Sequence, residues 1–302
     1  MDKNMKKGLR IALQAILILA IFYFMAMQVY KNIGSLKDYK WHFNYFYLAL
    51  SFIILISHDF AVTFVWNYIL RKLNAKIPYI KALKIRTISE LARYLPGSIW
   101  HLLGRTYYAE KAGIRKIKTL TSIALEIGAN VIAGLLLFVL CLPFFLKMDI
   151  LMKLIPLLVA IPIGLVLIHP KVLNKALNLG LRIMKKKSIK LDFRYMDIAV
   201  FIGIYFVLWL VNGVAFFYLV RSIYFIDYSK ILFLSGAFAV AWVMGFVSLI
   251  SPGGLGVREG ILSVLLSIYM PLPIAIIISL ISRVWAIIVE FLFAAVMFRV
   301  RD

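Results

Sequence analysis

Apolar residues fall along the chain in long runs rather than in helical stripes or strand alternation. Six runs reach the about 20 residues that carry a helix across a bilayer. They are Leu9–Val29, Asn44–Leu70, Thr119–Leu146, Ile150–Ile168, Asp197–Val220 and Leu272–Val300. Two further stretches are apolar but interrupted. Pro78–Tyr108 is broken at Pro96-Gly97, and Ile231–Met270 at Ser251-Pro252-Gly253-Gly254-Leu255-Gly256. Proline removes a backbone donor and glycine permits a tight turn. Such a break is tolerated at membrane depth only where protein or water satisfies the freed groups. The pattern predicts an all-α polytopic membrane protein of eight hydrophobic segments. About six are full transmembrane helices and two are Pro-Gly-broken re-entrant helical hairpins. The first run follows Lys3, Lys6, Lys7 and Arg10, as a signal peptide would. Its apolar core is long and no small-x-small cleavage site follows, so a retained span is expected.

The segments repeat in order. Each half reads span, span, broken segment, span, which divides one integral membrane domain, 1–302, into pseudo-repeats 1–146 and 147–302. Pro96-Gly97 and Pro252-Gly253 are 156 residues apart, and the spans that follow them begin 153 apart. With both broken segments re-entrant, each half holds three spans. Three is odd, so the pattern predicts an inverted repeat.

Charge changes the picture by giving it an orientation. Lys and Arg number 35 against 13 Asp and Glu, a formal charge of +22 in a chain that is 64% hydrophobic. That combination excludes a soluble enzyme, a disordered tail and a disulfide scaffold, and it leaves no soluble domain to bind nucleic acid. With the N-terminus cytoplasmic, 26 of the 35 cations fall on the inner side, as the positive-inside rule requires. Residues 174–187 put apolar positions on one helical face and cations on the other, the pattern of an interfacial helix against anionic lipid. The expected partners are membrane lipids and their anionic head groups. A homo-oligomer and a partner lipid- or sugar-modifying enzyme stay open. The single cysteine, Cys141, lies in an apolar run and forms no intrachain disulfide.

Two broken segments at matched positions suit a binding site near the bilayer midplane, the usual transporter arrangement. A half-helix that begins after each break presents free N–H groups and a positive dipole end to an anion such as phosphate. Ser98 is placed to cap the first half-helix, with Trp100 in its first turn. Gly256 is placed to cap the second, with Glu259 at its third position. Ser251, Pro252, Gly253 and Gly254 complete the second break, where the glycines allow a head group close to the backbone. Ionisable groups at depth are costly and mark function. Arg93, Arg105, Arg258 and Arg283 are the informative cations, and Glu126, Glu259 and Glu290 the carboxylates. Asn130, four residues after Glu126, aligns with Arg283 at the 153-residue offset. Arg86 and Glu90 read as structural, and His58-Asp59 as a local pair.

Several chemistries lack their residues. The four histidines are scattered without metal spacing. The first outer loop holds only Asp38, short of the paired acids of a metal-dependent glycosyltransferase. There is no Walker lysine and no nucleophile elbow. No catalytic residue, metal or cofactor is expected.

Ala92-Arg93-Tyr94-Leu95-Pro96-Gly97-Ser98-Ile99-Trp100, continuing to Gly104-Arg105, resembles the first signature of the lysylphosphatidylglycerol synthetase/flippase transmembrane family. Ser251-Pro252-Gly253-Gly254-Leu255-Gly256-Val257-Arg258-Glu259-Gly260 resembles its second. The family includes the membrane domain of the multiple peptide resistance factor and stand-alone bacterial and archaeal proteins. The resemblance implies a prokaryotic cell membrane and movement of a lipid between leaflets. The chain ends two residues past the last span, so the soluble aminoacyl-transfer domain is expected to be absent.

The leading reading is a flippase-like protein that moves an anionic or zwitterionic phospholipid, or a lipid-linked phosphate, between leaflets. The phosphate would sit between the half-helix N-termini, steadied by Arg105 and Arg258. The alternatives are a membrane enzyme or accessory subunit acting on lipid-linked sugars, and a small-solute secondary transporter.

Overall fold

The computed structural model describes residues 43–94, 99–144, 160–167, 194–248 and 254–300, with isolated positions at 23, 27, 30, 169, 171, 172, 175, 178 and 179. The expected span Leu9–Val29, most of Ile150–Ile168, most of the interfacial segment 174–187 and the residues Pro96, Gly97, Ser98, Ser251, Pro252 and Gly253 lie outside the described residues.

Among the described residues every regular element is helical. The helices are α1 (Tyr45–Lys72), α2 (Tyr79–Glu90), α3 (Trp100–Lys111), α4 (Lys116–Cys141), α5 (Ala160–Leu167), α6 (Tyr195–Ile223), α7 (Ile231–Val247), α8 (Val257–Leu266) and α9 (Leu272–Arg299). A 3-10 turn, Leu91–Tyr94, extends α2, and another, Tyr228–Lys230, leads into α7. Five helices are long and apolar enough to cross a membrane: α1, α4, α6, α9 and the segment Tyr228–Val247 that contains α7. The chain is a multi-pass membrane protein.

The broken segments behave differently. In the first, α2 and α3 are 12 residues each. At 1.5 Å per residue each is about 18 Å long, short of the about 30 Å hydrocarbon layer. In the second, Tyr228–Val247 has 20 residues, enough to span, while α8 has only 10. The asymmetry comes from composition. Helix α7 is an unbroken run of apolar and small residues, whereas α2 carries Lys81, Lys84, Arg86 and Glu90.

Element order and packing repeat across the halves. Helices α1 to α4 begin at Tyr45, Tyr79, Trp100 and Lys116. Helices α6 to α9 begin at Tyr195, Ile231, Val257 and Leu272, that is 150, 152, 157 and 156 residues later. Contacts match in the same way. Within the halves, α1–α2, α2–α3 and α3–α4 correspond to α6–α7, α7–α8 and α8–α9. Between the halves, α2–α9 corresponds to α4–α7, and α1 packs against α6.

Small residues bring the central helices together, as close packing in a membrane requires. A Cβ on Gly213 of α6 would collide with Ser235 of α7, and one on Gly236 of α7 with Cys141 of α4. The Cys141 thiol is buried and donates to the Leu232 carbonyl at 3.0 Å. Helix α7 is consequently enclosed, with Phe233, Leu234, Ala237, Ala239, Val240, Ala241 and Val243 inaccessible. Apolar side chains of α1 and α9 face outward instead, among them Phe64, Leu292, Val296 and Phe298. Those faces suit lipid.

Candidate functional site

A polar cavity of about 160 Å³ lies in the middle of the bundle. Its wall is drawn from α1, α2 with its 3-10 turn, α4, α6, α7, α8 and α9. The volume equals the share of about five waters. Polar atoms without a hydrogen-bond partner among the described residues line it: the Tyr205 hydroxyl, Asn212 Oδ1, Trp285 Nε1 and Arg86 Nε. Buried polar groups are normally bonded, so this wall is built for water or a polar ligand.

One side of the cavity is a chain of alternating charges. Arg93 Nη1 donates to Glu290 Oε1 of α9 at 2.9 Å, and its other amino group pairs with Glu90. Glu90 also accepts from Arg105 of α3. Arg105 Nη1 reaches Glu126 Oε2 of α4 at 2.5 Å. Glu126 Oε1 lies 3.4 Å from Arg86 Nη2. The sequence Glu290–Arg93–Glu90–Arg105–Glu126–Arg86 ties α2, α3, α4 and α9 together inside the bundle. Arg105 is its keystone. It is 3% exposed, and its guanidinium lies over the Trp66 ring at 5.2 Å. Trp66 in turn donates to Ser122 Oγ at 3.0 Å.

Another part of the wall is built by the start of α8. Gly254 and Gly256 have φ of +72° and +83°, a left-handed region open to glycine at little cost. A Cβ on Gly254 would come within 2.9 Å of the Gly245 backbone, so the turn packs directly on α7. Gly256 caps α8, and Glu259 Oε2 accepts from its amide at 2.7 Å. Glu259 Oε1 lies 3.8 Å from Arg283 Nη1 of α9. Arg258 is placed by this turn on the cavity wall, 8% exposed, with its guanidinium 4.7 Å from the Phe238 ring centroid. It has no carboxylate within ion-pair distance among the described residues. On the α1 part of the wall the Asp59 carboxylate has His58, at 3.4 Å, as its hydrogen-bond partner among the described residues.

The structure thus sorts the residues that the sequence marks. Arg93, Glu126, Asn130, Arg258 and Glu290 stand on the cavity wall. Arg105 stands behind it, between two carboxylates, and Arg283 and Glu259 form a separate pair that holds the α8 turn. Trp100 opens α3 and is 46% exposed, away from the cavity. Asn130 offers its backbone carbonyl to Trp209 Nε1 at 3.0 Å. Sequence reasoning missed Tyr205, Asn212, Trp209, Trp242 and Trp285 on the wall, and it took His58-Asp59 for a local pair; Arg86 and Glu90, read as structural, stand on the wall within the ion-pair chain. Asn212, a lone amide in the middle of an apolar span, was the available signal. Among the described residues no group of three or more His, Cys, Asp or Glu is arranged to hold a metal ion.

The family model described as Lysylphosphatidylglycerol synthase TM region matches residues 11–294. No curated protein and no solved structure matches the chain.

Proposed function

The chain belongs to the lysylphosphatidylglycerol synthase transmembrane family, and on that basis we propose that it is a flippase-like protein that moves a phospholipid or lipid-linked phosphate between leaflets. One observation carries the reading. Arg258 is a buried cation on a polar cavity, and among the described residues no carboxylate stands within ion-pair distance of it, Glu259 and Glu290 acting on it only from further away. A buried charge without a direct partner is costly, and a phosphate is the anion that a guanidinium binds best, with two parallel hydrogen bonds.

The rest of the cavity supports the same reading. Arg86 and Arg93 are already paired, so Arg258 is the arginine left for a substrate. Asp59 supplies an anion on the same cavity wall, which suits a zwitterionic head group, with its phosphate at Arg258 and an ammonium at Asp59. The tails stay in the bilayer while the head crosses. The two halves, read as a duplication, rock about the α1–α6 contact to open the cavity to one leaflet and then the other. The membrane of action is a prokaryotic cell membrane, with the N-terminus inside.

Translocation of a fluorescent phospholipid in reconstituted vesicles tests this. Wild type should move the probe across the bilayer and Arg258→Ala should not, with both proteins equally folded. Equal rates overturn the assignment of Arg258.

A further inference from the structure

A second concavity lies on the outside of α1. It is an open groove of about 510 Å³ whose wall includes Phe60, Phe64, Asn67, Arg71 and Tyr79. Phe60 is 42% and Phe64 62% exposed, so the groove opens to the bilayer. Most of its polar groups are already bonded. Tyr79 donates its hydroxyl to the Phe60 carbonyl at 2.8 Å, and Asn67 donates Nδ2 to the Ile77 carbonyl at 3.1 Å. Arg71 is exposed at the basic end of α1, beside Lys72, and has no ion pair among the described residues. An apolar trough that ends in an exposed cation has the polarity of an anionic phospholipid lying along a helix.

The groove and the cavity share α1 as a wall. Ser57, Phe60, Ala61 and Phe64 face the groove, while His58, Asp59, Val62 and Thr63 face the cavity. The edge between them is closed by Phe60 against Phe293 of α9, whose ring centroids are 4.8 Å apart. Phe293 itself lines the cavity. Phe60 lies about 16 Å along the helix axis from Arg71, close to the middle of α1 and level with Asp59.

We propose that the groove is a lateral entry site for an anionic phospholipid and that Phe60 and Phe293 are its gate. The phosphate seats on Arg71 and one acyl chain lies along Phe64 and Phe60. The head group then moves along α1 from Arg71 to the level of Phe60 and, when the aromatic pair parts, passes sideways into the cavity, toward Arg258. This rests on the translocation reading for the gate; the groove as a lipid seat stands apart from it.

The test uses the whole chain in phosphatidylcholine vesicles that contain phosphatidylglycerol with a diazirine on its acyl chain. Photolabel should concentrate on the peptide holding Phe60 and Phe64 and fall about fivefold in Arg71→Ala, the loss expected for one interfacial cation. Label spread evenly over the outer face of α9, and insensitive to Arg71→Ala, overturns the groove. A Phe60→Cys, Phe293→Cys double variant, joined by a reversible thiol cross-linker, tests the gate. Translocation should stop on cross-linking and return on reduction while groove labelling persists. Translocation that continues in the cross-linked protein overturns the gate. A wild type that labels in the groove yet moves no lipid overturns the translocation reading, and the gate with it, and leaves the groove standing.

Discussion

Arg105 of α3 reaches Glu126 of α4 at 2.5 Å, with 3% and 6% of the two residues exposed. The same guanidinium holds Glu90 of α2. Removing one partner of a buried ion pair leaves an uncompensated charge and costs roughly 3–5 kcal/mol. Arg105→Ala should therefore lower the thermal unfolding temperature in detergent, because Glu90 and Glu126 each lose one of their two arginine partners and keep only Arg93 and Arg86. Unchanged thermal stability would show that the two carboxylates do not depend on Arg105.

Arg258 is the counter-case. It makes no direct ion pair among the described residues, so Arg258→Ala breaks none and relieves a desolvated charge. Its unfolding temperature should stay at or above that of wild type, in contrast to Arg105→Ala. A loss as large as that of Arg105→Ala would place Arg258 in the structural network instead.

The α8 turn separates backbone from charge. Gly254→Ala demands a left-handed alanine, about 1 kcal/mol or more, and a Cβ against the Gly245 backbone at 2.9 Å. It should yield little folded protein by size-exclusion chromatography. A normal monodisperse peak would mean that the turn and α7 part readily.

Glu259 does two things at once, capping Gly256 and facing Arg283. Glu259→Gln keeps an oxygen for the cap and loses only the charge, whereas Glu259→Ala loses both. The alanine variant should be the less stable by about 1 kcal/mol, the usual size of a helix N-cap. Equal melting of the two would remove the cap from the account.

Asp59 predicts selectivity. In competition with head-group analogues, Asp59→Asn should weaken those that carry an ammonium and spare those that carry only a phosphate. A uniform loss for both classes would make Asp59 a structural partner of His58.

The long helices were legible because about 20 apolar residues in a row leave few other structures. Helices α1, α4, α6 and α9 follow that rule. The length of α7 was less legible, since the Ser251–Gly256 break drew attention away from a run that spans by itself. Site chemistry was legible as a set of ionisable residues at depth, but the pairing was not. Arg105 and Arg258 look alike in sequence, each a few residues past a Pro-Gly. Only the packing of α3 against α2 and α4 gives Arg105 two carboxylates, and only the α8 turn aims Arg258 at open space. The place of Asp59 and Arg86 on one cavity wall was hidden for a related reason. Helical spacing shows which residues share a face, and says nothing of what stands opposite.

The most direct measurement is the rate of phospholipid translocation in vesicles containing wild type, Arg258→Ala or Arg258→Lys at equal folded protein. The account predicts translocation by wild type, its loss in Arg258→Ala, and partial recovery in Arg258→Lys, whose point charge lacks the two-pronged hydrogen bonds of guanidinium. Arg258→Ala vesicles that move lipid at the wild-type rate would contradict it.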